Sequence, residues 1–356
     1  MLLNKTFFTV LILFFCLSAA VPAQENAGEA VTETLPRERQ WNAPLDRADL
    51  LLFSSHADDE HLFFAGILPY CAANGIKAQV VYMTNHNDNP VRNTELLNGL
   101  WAVGITHYPV ISRFPDLYSE SLAEALQVYG RRGFSEDDFI AYCVENIRRF
   151  KPQVLVGHDV NGEYGHGAHM LSSAALMKAV VLAADPGYHI ESFSEYGVWD
   201  APKTYINQWN ERRIELSSID VPLPFFNGKT AFQVSQYGFS YHKSQHWTFF
   251  YKWIYGTEKE PISSYAQIRN YPPGRYGLYR TLVGDDSQDA ADFFQNVTLL
   301  KNAIEEPADE IDTAAYYEEP EIIENNRHLW FLMPIVIFVL AAASALLIFL
   351  KKLKRK

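Results

Sequence analysis

Two short segments of the sequence concentrate histidines and carboxylates. The first covers residues 56–60, His-Ala-Asp-Asp-Glu, and the second covers residues 158–169, with His166 and His169 near its end. Three carboxylates within five residues repel one another unless a cation or hydrogen-bond donors compensate their charge. A bound divalent metal ion is the simplest compensation. The alternative is a helix N-terminus, where Asp and Glu cap the helix and complement its dipole.

The spacing of the histidines in the second segment supports the metal interpretation. His166 and His169 stand three residues apart at the start of a predicted helix, so both can face the same side. Two imidazoles and one carboxylate, with a fourth position left open, are the ligand set of a catalytic zinc site. Zinc lowers the pKa of bound water to about 7 and polarises a carbonyl oxygen. The two segments together predict a catalytic zinc site, although the same ligands would accept other divalent ions.

The segments that position these residues alternate between strand and helix. Strand patterns cover residues 48–55, 77–84, 108–112 and 153–157, and helical patterns cover residues 59–74, 91–103, 121–129, 137–150 and 166–184. This alternation predicts parallel βαβ crossovers and hence an α/β fold, a Rossmann-like, mostly parallel sheet with helices on both faces. Beyond residue 185 we expect extra strands and loops that extend the same domain. Each cluster directly follows a strand, where ligands bind in such sheets.

Apolar segments at both ends predict export and a membrane anchor. Residues 1–23 have the layout of a signal peptide with cleavage after Ala23, and an uncleaved anchor is the alternative. Residues 329–350 carry no charge. At about 1.5 Å per residue they reach roughly 33 Å, enough for a C-terminal transmembrane helix. The basic tail at 351–356 predicts a cytoplasmic C-terminus, hence a single-pass type I protein whose body is periplasmic or extracellular.

Composition sets the remaining boundaries and excludes one class of partner. Residues 24–45 read as a polar linker, residues 46–300 as the globular body, and residues 301–328 as an acidic stalk, for which a final solvated helix is the alternative. The net charge of −12 argues against a nucleic-acid partner. Cys71 and Cys143 both lie in predicted helices. An outward location permits a disulfide, but two separate buried thiols are the expectation.

The order of the motifs resembles the LmbE-like, or PIG-L, family of zinc-dependent N-acetylglucosaminyl deacetylases. The resemblance depends on H-x-D-D-E at residues 56–60, after the first strand, and on G-E-Y-G-H-x-x-H at residues 162–169. Weaker agreement occurs at Arg92, at residues 114–116 and at residues 242–245. The sequence departs from the family pattern at Ala57 and Gly167, where proline is common, and both changes loosen the backbone more than they remove chemistry.

The resemblance implies a role for each residue of the two clusters. The implied zinc ligands are His56, Asp59 and His169. Asp58 would be the general base, and a base must indeed stay unligated if it is to take a proton from the attacking water. His166 would lie beside the metal without binding it and, as a cation, stabilise the oxyanion or protonate the leaving amine. Tyr164 would donate a hydrogen bond to the same oxygen.

Other residues receive weaker expectations. Arg92 and Asp116 are candidates for contacts with sugar hydroxyls, with ordinary surface pairing as the alternative, and Lys243 is a further candidate. Glu60 is expected to orient a ligand or cap the helix. The histidines without motif support are expected to be structural, and they are His61, His86, His107 and His246.

Three functions are compatible with the sequence. The leading hypothesis is a membrane-anchored, outward-facing zinc hydrolase that removes acetyl from an N-acetylglucosamine-type sugar or glycoconjugate. The first alternative is a zinc amidase acting on another amide, such as a sugar–thiol conjugate or an acyl amide, because metal and base serve any accessible amide. The second is a non-catalytic glycan-binding surface protein, which predicts a damaged base or a missing ligand, and neither is seen. The sugar, its linkage and the oligomeric state are left open.

Overall fold

Strands and helices alternate along residues 40–300, which are the residues that the computed structural model describes. The strands are β1 (Leu50–Ser54), β2 (Ala78–Tyr82), β3 (Val110–Ile111), β4 (Val154–Gly157), β5 (Lys203–Asn207), β6 (Arg213–Glu215), β7 (Pro222–Leu223), β8 (Lys229–Thr230) and β9 (Arg275–Thr281). The α-helices are α1 (Ile67–Ala73), α2 (Pro90–Ala102), α3 (Leu122–Gly130), α4 (Glu136–Phe150), α5 (Gly167–Leu182), α6 (Ile190–Tyr196), α7 (Ala231–Ser240) and α8 (Thr248–Tyr255).

Seven of the strands form one sheet in the order β3-β2-β1-β4-β5-β9-β6. The five strands from β3 to β5 are parallel, and β9 is antiparallel to both β5 and β6. β7 and β8 form a separate two-stranded sheet. The predicted α/β fold with a mostly parallel sheet is therefore confirmed. The chain leaves β1 toward β2 on one side and returns to its other side at β4, so the strand order reverses between β1 and β4.

Helices cover both faces of the sheet because its central strands are apolar on both sides. Leu50 and Leu52 of β1 pack into one buried cluster, and Leu51 and Phe53 pack into another, since successive side chains of a strand point to opposite faces. The first cluster includes α1, α2 and α7, and the second includes α4 and α5. Cys71 and Cys143 belong to the first and second cluster respectively, and both are free and buried. This confirms the expectation of two separate thiols.

The helix predicted for residues 59–74 forms only in its second half. Residues 57–66 are a series of turns, and α1 begins at Ile67. Gly66, inside the predicted range, has a φ of 91°, and a residue in the positive-φ region does not continue a right-handed helix. Asp58, just before this range, has a φ of 122°. A Cβ atom on Gly66 would also lie 2.7 Å from Cβ of Ile219. The conformation of the turns, and not helical propensity, therefore places the side chains of residues 56–60.

The second half of the chain contains more helix than the sequence pattern indicated. The extra strands expected beyond residue 185 are present, and β5, β6 and β9 extend the same sheet. The helices α6, α7 and α8 were not predicted. For α7 a signal was available, because Thr230 and Gln233 form a capping box at its N-terminus, a pattern that marks helix starts. This helix packs against α1 and α2.

The folded body begins a few residues earlier than predicted. The Asn42 N–H donates to the Thr106 carbonyl and the Tyr108 N–H donates to the Asn42 carbonyl, each at 2.9 Å. Leu45 is buried, and its N–H donates to Gln79 Oε1 at 3.0 Å. The last residues of the predicted linker 24–45 are thus held by backbone hydrogen bonds to the body.

Most of the predictions for the two ends of the chain concern residues outside the described range 40–300. The signal peptide (1–23), the linker up to residue 39, the stalk (301–328), the transmembrane helix (329–350) and the basic tail (351–356) lie outside the described residues. Within residues 40–300 no helix has the length and apolar character needed to span a membrane.

Candidate functional site

The parallel strands β1 to β4 bring the predicted site residues to one edge of the sheet. β1 and β4 are hydrogen-bonded neighbours, and the segments that follow them, residues 55–60 and 158–169, contain the two clusters. β2 and β3 lie on the other side of β1 and are followed by His86 and Asp116. The carboxyl ends of parallel strands meet at one edge. The site therefore lies where the strand order reverses, which is where α/β sheets bind ligands.

Side-chain atoms of His56, Asp59 and His169 form a triangle in this site. His56 Nδ1 lies 3.1 Å from Asp59 Oδ2 and 3.1 Å from His169 Nε2, and the latter two atoms are 3.2 Å apart. All three residues are buried. Ligand atoms of a tetrahedral zinc ion are about 3.3–3.4 Å apart, so the observed spacing fits one ion shared by three atoms. The structure brings the implied ligands together, and their binding of zinc remains a prediction.

The charges around the triangle keep its carboxylate ionised. Burial raises the pKa of Asp59, but the charges of His169 and His56 outweigh burial and hold this pKa well below its ordinary value. Burial lowers the pKa of His56, yet Asp116 and Asp59 raise it to about 10. Asp59 and Glu163 likewise raise the pKa of His169 to about 9 against the effect of burial. A metal ion bound by these atoms must displace any proton on His56 Nδ1 and His169 Nε2.

Glu163 orients two imidazoles of the site. Its Oε2 atom lies 2.8 Å from His158 Nδ1 and 2.7 Å from His169 Nδ1, and its Oε1 accepts the Asp159 N–H at 3.1 Å. When His169 donates its Nδ1–H to Glu163, the Nε2 lone pair is left for the triangle, which is the tautomer that a metal ligand needs. The Ser55 N–H donates to His158 Nε2 at 2.9 Å, so the His158 ring is fixed at both nitrogens.

Replacing Glu163 by Gln is expected to weaken zinc binding or activity by about 10–100-fold. Burial raises the pKa of Glu163, but His158 and His169 hold it well below its ordinary value, so the native group is a carboxylate. The glutamine amide lacks this charge. If its oxygen accepts both imidazole N–H groups, its NH2 group faces the Asp159 N–H, which is also a donor. A chelator-competition titration of zinc measures the change, with kcat/KM for amide hydrolysis determined in parallel.

The matched control is Glu136→Gln, which alters a glutamate of a surface ion pair with Lys178. Zinc affinity and kcat/KM should both stay at the wild-type level in this control. Wild-type zinc affinity together with wild-type kcat/KM in Glu163→Gln would contradict the orienting role of the carboxylate.

Asp58 lies beside the triangle in a constrained conformation. Its φ of 122° is in a region that few non-glycine residues adopt, and its N–H donates to Glu60 Oε2 at 2.9 Å. Glu60 thus supports the backbone of Asp58, where a ligand contact or a helix cap was expected. Asp58 Oδ1 faces Arg92 Nη2 at 3.5 Å. Burial raises the pKa of Asp58 well above its ordinary value, with Arg92 opposing and Asp59 adding to this effect, so the group is suited to accept a proton.

The predicted substrate-binding residues Arg92 and Asp116 pair with each other. Arg92 Nη1 donates to Asp116 Oδ2 at 3.3 Å, and Nη2 donates to the Ala57 carbonyl at 2.6 Å. Asp116 Oδ1 lies 3.3 Å from His56 Nε2, and Oδ2 lies 3.5 Å from His86 Nδ1. The side chain of Asp116 is 25% exposed and that of Arg92 is 11% exposed, so Asp116 is the more accessible to a ligand. Both residues belong to the site, and their contact with a sugar remains a prediction.

His166 and Tyr164 line the site next to the triangle. The His166 ring is centred 4.8 Å from that of His56 and 4.9 Å from that of His169. Its Nδ1 atom is buried without a hydrogen-bond partner among residues 40–300. Burial and the charges of His56 and His169 lower the pKa of His166 to about 2, which favours a neutral ring over the implied cation. Burial and Asp59 raise the pKa of Tyr164 well above its ordinary value, so its hydroxyl keeps the proton that it would donate.

The third predicted substrate-binding residue is Lys243. It is exposed in a 3-10 turn, Lys243–Gln245, that follows α7. Its neighbour Ser244 donates from N–H and hydroxyl to the Glu95 carboxylate of α2, at 2.7 and 2.5 Å. The motif at residues 242–245 therefore links α7 to α2, and no hydrogen bond or ion pair of the described residues joins Lys243 to the site.

Two residues of the site, His158 and Glu163, were given no role from the sequence, and a third, His86, was expected to be only structural. The first two carried a signal, because they belong to the cluster that follows β4. The Ala57 N–H donates to His86 Nε2 at 3.1 Å, so His86 supports the turn that carries the first cluster. His86 follows β2. Because the carboxyl ends of neighbouring parallel strands lie at the same edge of the sheet, the pairing of β2 with β1 places His86 at the site. His107 and His246 bond to backbone carbonyls, as expected for structural histidines.

The sequence of the described region matches a known family and its relatives. Residues 51–180 match the family model described as PIG-L: GlcNAc-PI de-N-acetylase, which confirms the resemblance predicted from the motifs. A relative from Catenulispora acidiphila, 1D-myo-inositol 2-acetamido-2-deoxy-alpha-D-glucopyranoside deacetylase 1, is 27% identical over 187 residues, which are 46% of this chain and 56% of the relative. A deacetylase of the same substrate name from Streptomyces griseus is 30% identical over 162 residues, which are 39% of this chain and 50% of the relative.

The match to these relatives is partial. The chain spans about half the length of the curated relatives it matches. Among solved structures, the N,N'-diacetylchitobiose deacetylase from Pyrococcus horikoshii is 12% identical, with a TM-score of 0.39 over 57% of this chain and 72% of that chain.

Proposed function

We propose that this chain, whose residues 51–180 form a PIG-L family domain, is a zinc-dependent hydrolase that removes acetyl from an N-acetylglucosamine-type sugar. The observation that carries the proposal is the triangle of His56 Nδ1, Asp59 Oδ2 and His169 Nε2, with the Asp58 carboxylate beside it, paired with Arg92. Three protein ligands and one open position are typical of catalytic zinc sites, whereas structural sites use four protein ligands.

The surrounding residues provide the proton transfers that amide hydrolysis needs. Zinc held by the triangle would polarise the amide carbonyl and lower the pKa of a water molecule. Asp58 takes the proton of the attacking water and is held in place through its N–H and its contact with Arg92. Tyr164 and His166 face the same space and can donate hydrogen bonds to the carbonyl oxygen as its charge grows. When the C–N bond breaks, the amine nitrogen leaves with the proton from Asp58, and the water oxygen remains on acetate.

An amino-sugar substrate is supported by the family and by the rim of the site. The matching family model and relatives are named for the deacetylation of N-acetylglucosamine linked to inositol or phosphatidylinositol. The ring of Tyr118 is 68% exposed and packs against His166 with ring centres 5.5 Å apart. An exposed aromatic ring beside the catalytic residues gives the CH groups of a sugar a surface to pack against. Asp116 supplies carboxylate oxygens for sugar hydroxyls at the same rim.

The proposal places the catalytic domain outside the cytoplasm on a single membrane anchor. Support comes from the signal-peptide pattern of residues 1–23, the uncharged residues 329–350 and the basic tail after them. In this topology the substrate is an extracytoplasmic glycan or glycoconjugate.

An acetate-release assay with matched metal analysis tests the proposed function. The purified full chain is expected to release acetate from N-acetylglucosamine, its oligomers or its inositol conjugate, to lose activity with a zinc chelator and to regain it with zinc. Release from simple acyl amides, with none from acetylated sugars, would favour the alternative amidase. A zinc-loaded protein without activity on either class would contradict a hydrolase.

A further inference from the structure

A second cluster of metal-binding residue types lies behind the catalytic site. It consists of Glu60, His61 and His242, each with none of its surface exposed. Glu60 and His61 come directly after the predicted ligand Asp59, and His242 comes two residues after the end of α7. The ligand atoms of the three residues lie within 4.8 Å of one another. The ring nitrogens of His61 and His242 and the Oε1 atom of Glu60 have no part in the proposed hydrolysis.

Most of the side-chain polar atoms of this cluster lack hydrogen-bond partners. Five buried atoms of the cluster have no hydrogen-bond partner among the described residues, and they are Glu60 Oε1 and both ring nitrogens of His61 and His242. Buried polar atoms in native proteins are nearly always paired, because an unpaired one loses its interactions with water without replacement. Three of the five face one another, since Glu60 Oε1 lies 3.4 Å from His61 Nε2 and 3.4 Å from His242 Nε2.

The separation of these atoms distinguishes a metal site from a hydrogen-bonded triad. A charge-assisted N–H···O bond between imidazole and carboxylate is usually about 2.7–2.9 Å long, which is shorter than both observed distances. Ligand atoms around tetrahedral zinc are about 3.3–3.4 Å apart, which agrees with both. The two distances from Glu60 Oε1 thus fit donors around one ion better than direct hydrogen bonds to the imidazoles.

Two glycines leave the room that the imidazoles occupy. A Cβ atom on Gly99 of α2 would lie 2.7 Å from His61 Nε2 and 2.8 Å from His242 Nε2, and one on Gly238 of α7 would lie 2.6 Å from His61 Nδ1. Since these distances are too short for any side chain, both helices approach the cluster with glycine. The packing of α2 against α7 therefore encloses the donors and excludes solvent.

We propose that Glu60, His61 and His242 bind a second divalent metal ion, and that this ion is zinc. Two imidazoles and one carboxylate are donors that suit zinc, and all three side chains are buried. Glu60 connects it to the catalytic residues, because its other oxygen, Oε2, accepts the N–H of Asp58 at 2.9 Å. An ion on Oε1 would fix the carboxylate that holds Asp58 in its positive-φ conformation, so Glu60 is a positioning residue for the base.

Zinc stoichiometry of the full chain tests the second site. After dialysis against metal-free buffer, the wild-type protein is expected to hold two zinc ions per chain, as measured by elemental mass spectrometry. His242→Leu is expected to hold one, and the control His107→Leu, whose histidine bonds to the Ala43 carbonyl away from both clusters, is expected to hold two. His169→Gln is expected to hold one, and the combination of His242→Leu with His169→Gln none.

The outcomes separate the second site from the proposed function. One zinc per wild-type chain that disappears in His169→Gln and persists in His242→Leu overturns the second site and leaves the hydrolase proposal standing. One zinc that disappears only in His242→Leu supports the second site and contradicts the catalytic one. If His242→Leu does not fold, anomalous scattering at the zinc edge from wild-type crystals decides: a peak bonded to Glu60 Oε1 and both Nε2 atoms supports the proposal, and no peak there overturns it.

Discussion

Replacing Asp58 by Asn is expected to lower kcat/KM for acetate release by about 10²–10⁴-fold while leaving the zinc content unchanged. The neutral amide cannot take the proton of the attacking water, but it has nearly the shape of the carboxylate. Asn also adopts positive φ more readily than most residues, so the φ of 122° at this position is compatible with it. The Asp58 carboxylate pairs with Arg92 and is not one of the three atoms of the triangle, so its charge is not required for zinc binding.

The measurement combines steady-state acetate release with zinc analysis of the same preparation. Asp285→Asn is the matched control, because this side chain is 66% exposed and pairs with Arg212 at the surface. The control should retain both activity and zinc. Turnover near the wild-type rate in a zinc-loaded Asp58→Asn protein would show that another group takes the proton.

Replacing His169 by Gln is expected to remove the zinc ion of the triangle and to lower kcat/KM by at least about 100-fold. Loss of a residue that only orients a metal ligand costs up to about 100-fold in activity, and loss of the ligand itself should cost no less. His169 Nε2 lies 3.1 Å from His56 Nδ1 and 3.2 Å from Asp59 Oδ2, so its loss leaves two donors. The fully buried ring also loses its 2.7 Å contact with Glu163. The readout is a protein with one zinc ion fewer per chain than wild type.

His107→Gln is the control for this substitution, since the His107 ring bonds to the Ala43 carbonyl at 2.7 Å and lies outside the site. It should keep its full zinc content and activity. An unchanged zinc content in His169→Gln, with the fold intact by circular dichroism, would remove His169 from the ligand set. Activity that survives with the ion lost would contradict metal-dependent hydrolysis as a whole.

The sequence was sufficient to predict the fold class and the edge of the sheet at which the candidate site residues meet. Periodic apolar residues predicted strands at the positions of β1, β2 and β4 and helices at those of α2 to α5, because these patterns are local. The position of the two clusters directly after β1 and β4 predicted a site at a sheet edge. The first half of the predicted helix 59–74 was wrong, since its apolar residues follow helical spacing but Gly66, inside this range, adopts positive φ.

Only the tertiary structure decided which residues meet. His56 and His169 are 113 residues apart and come together because β1 pairs with β4, and this non-local pairing is not written in any local pattern. The same sheet order brings His86 and Asp116 to the edge that carries the candidate site. The packing of α7 on α2 buries His242 beside Glu60 and His61, although the sequence separates them widely. Side-chain chemistry is encoded locally, whereas its convergence depends on strand order and helix packing, which arise only when the whole core is buried.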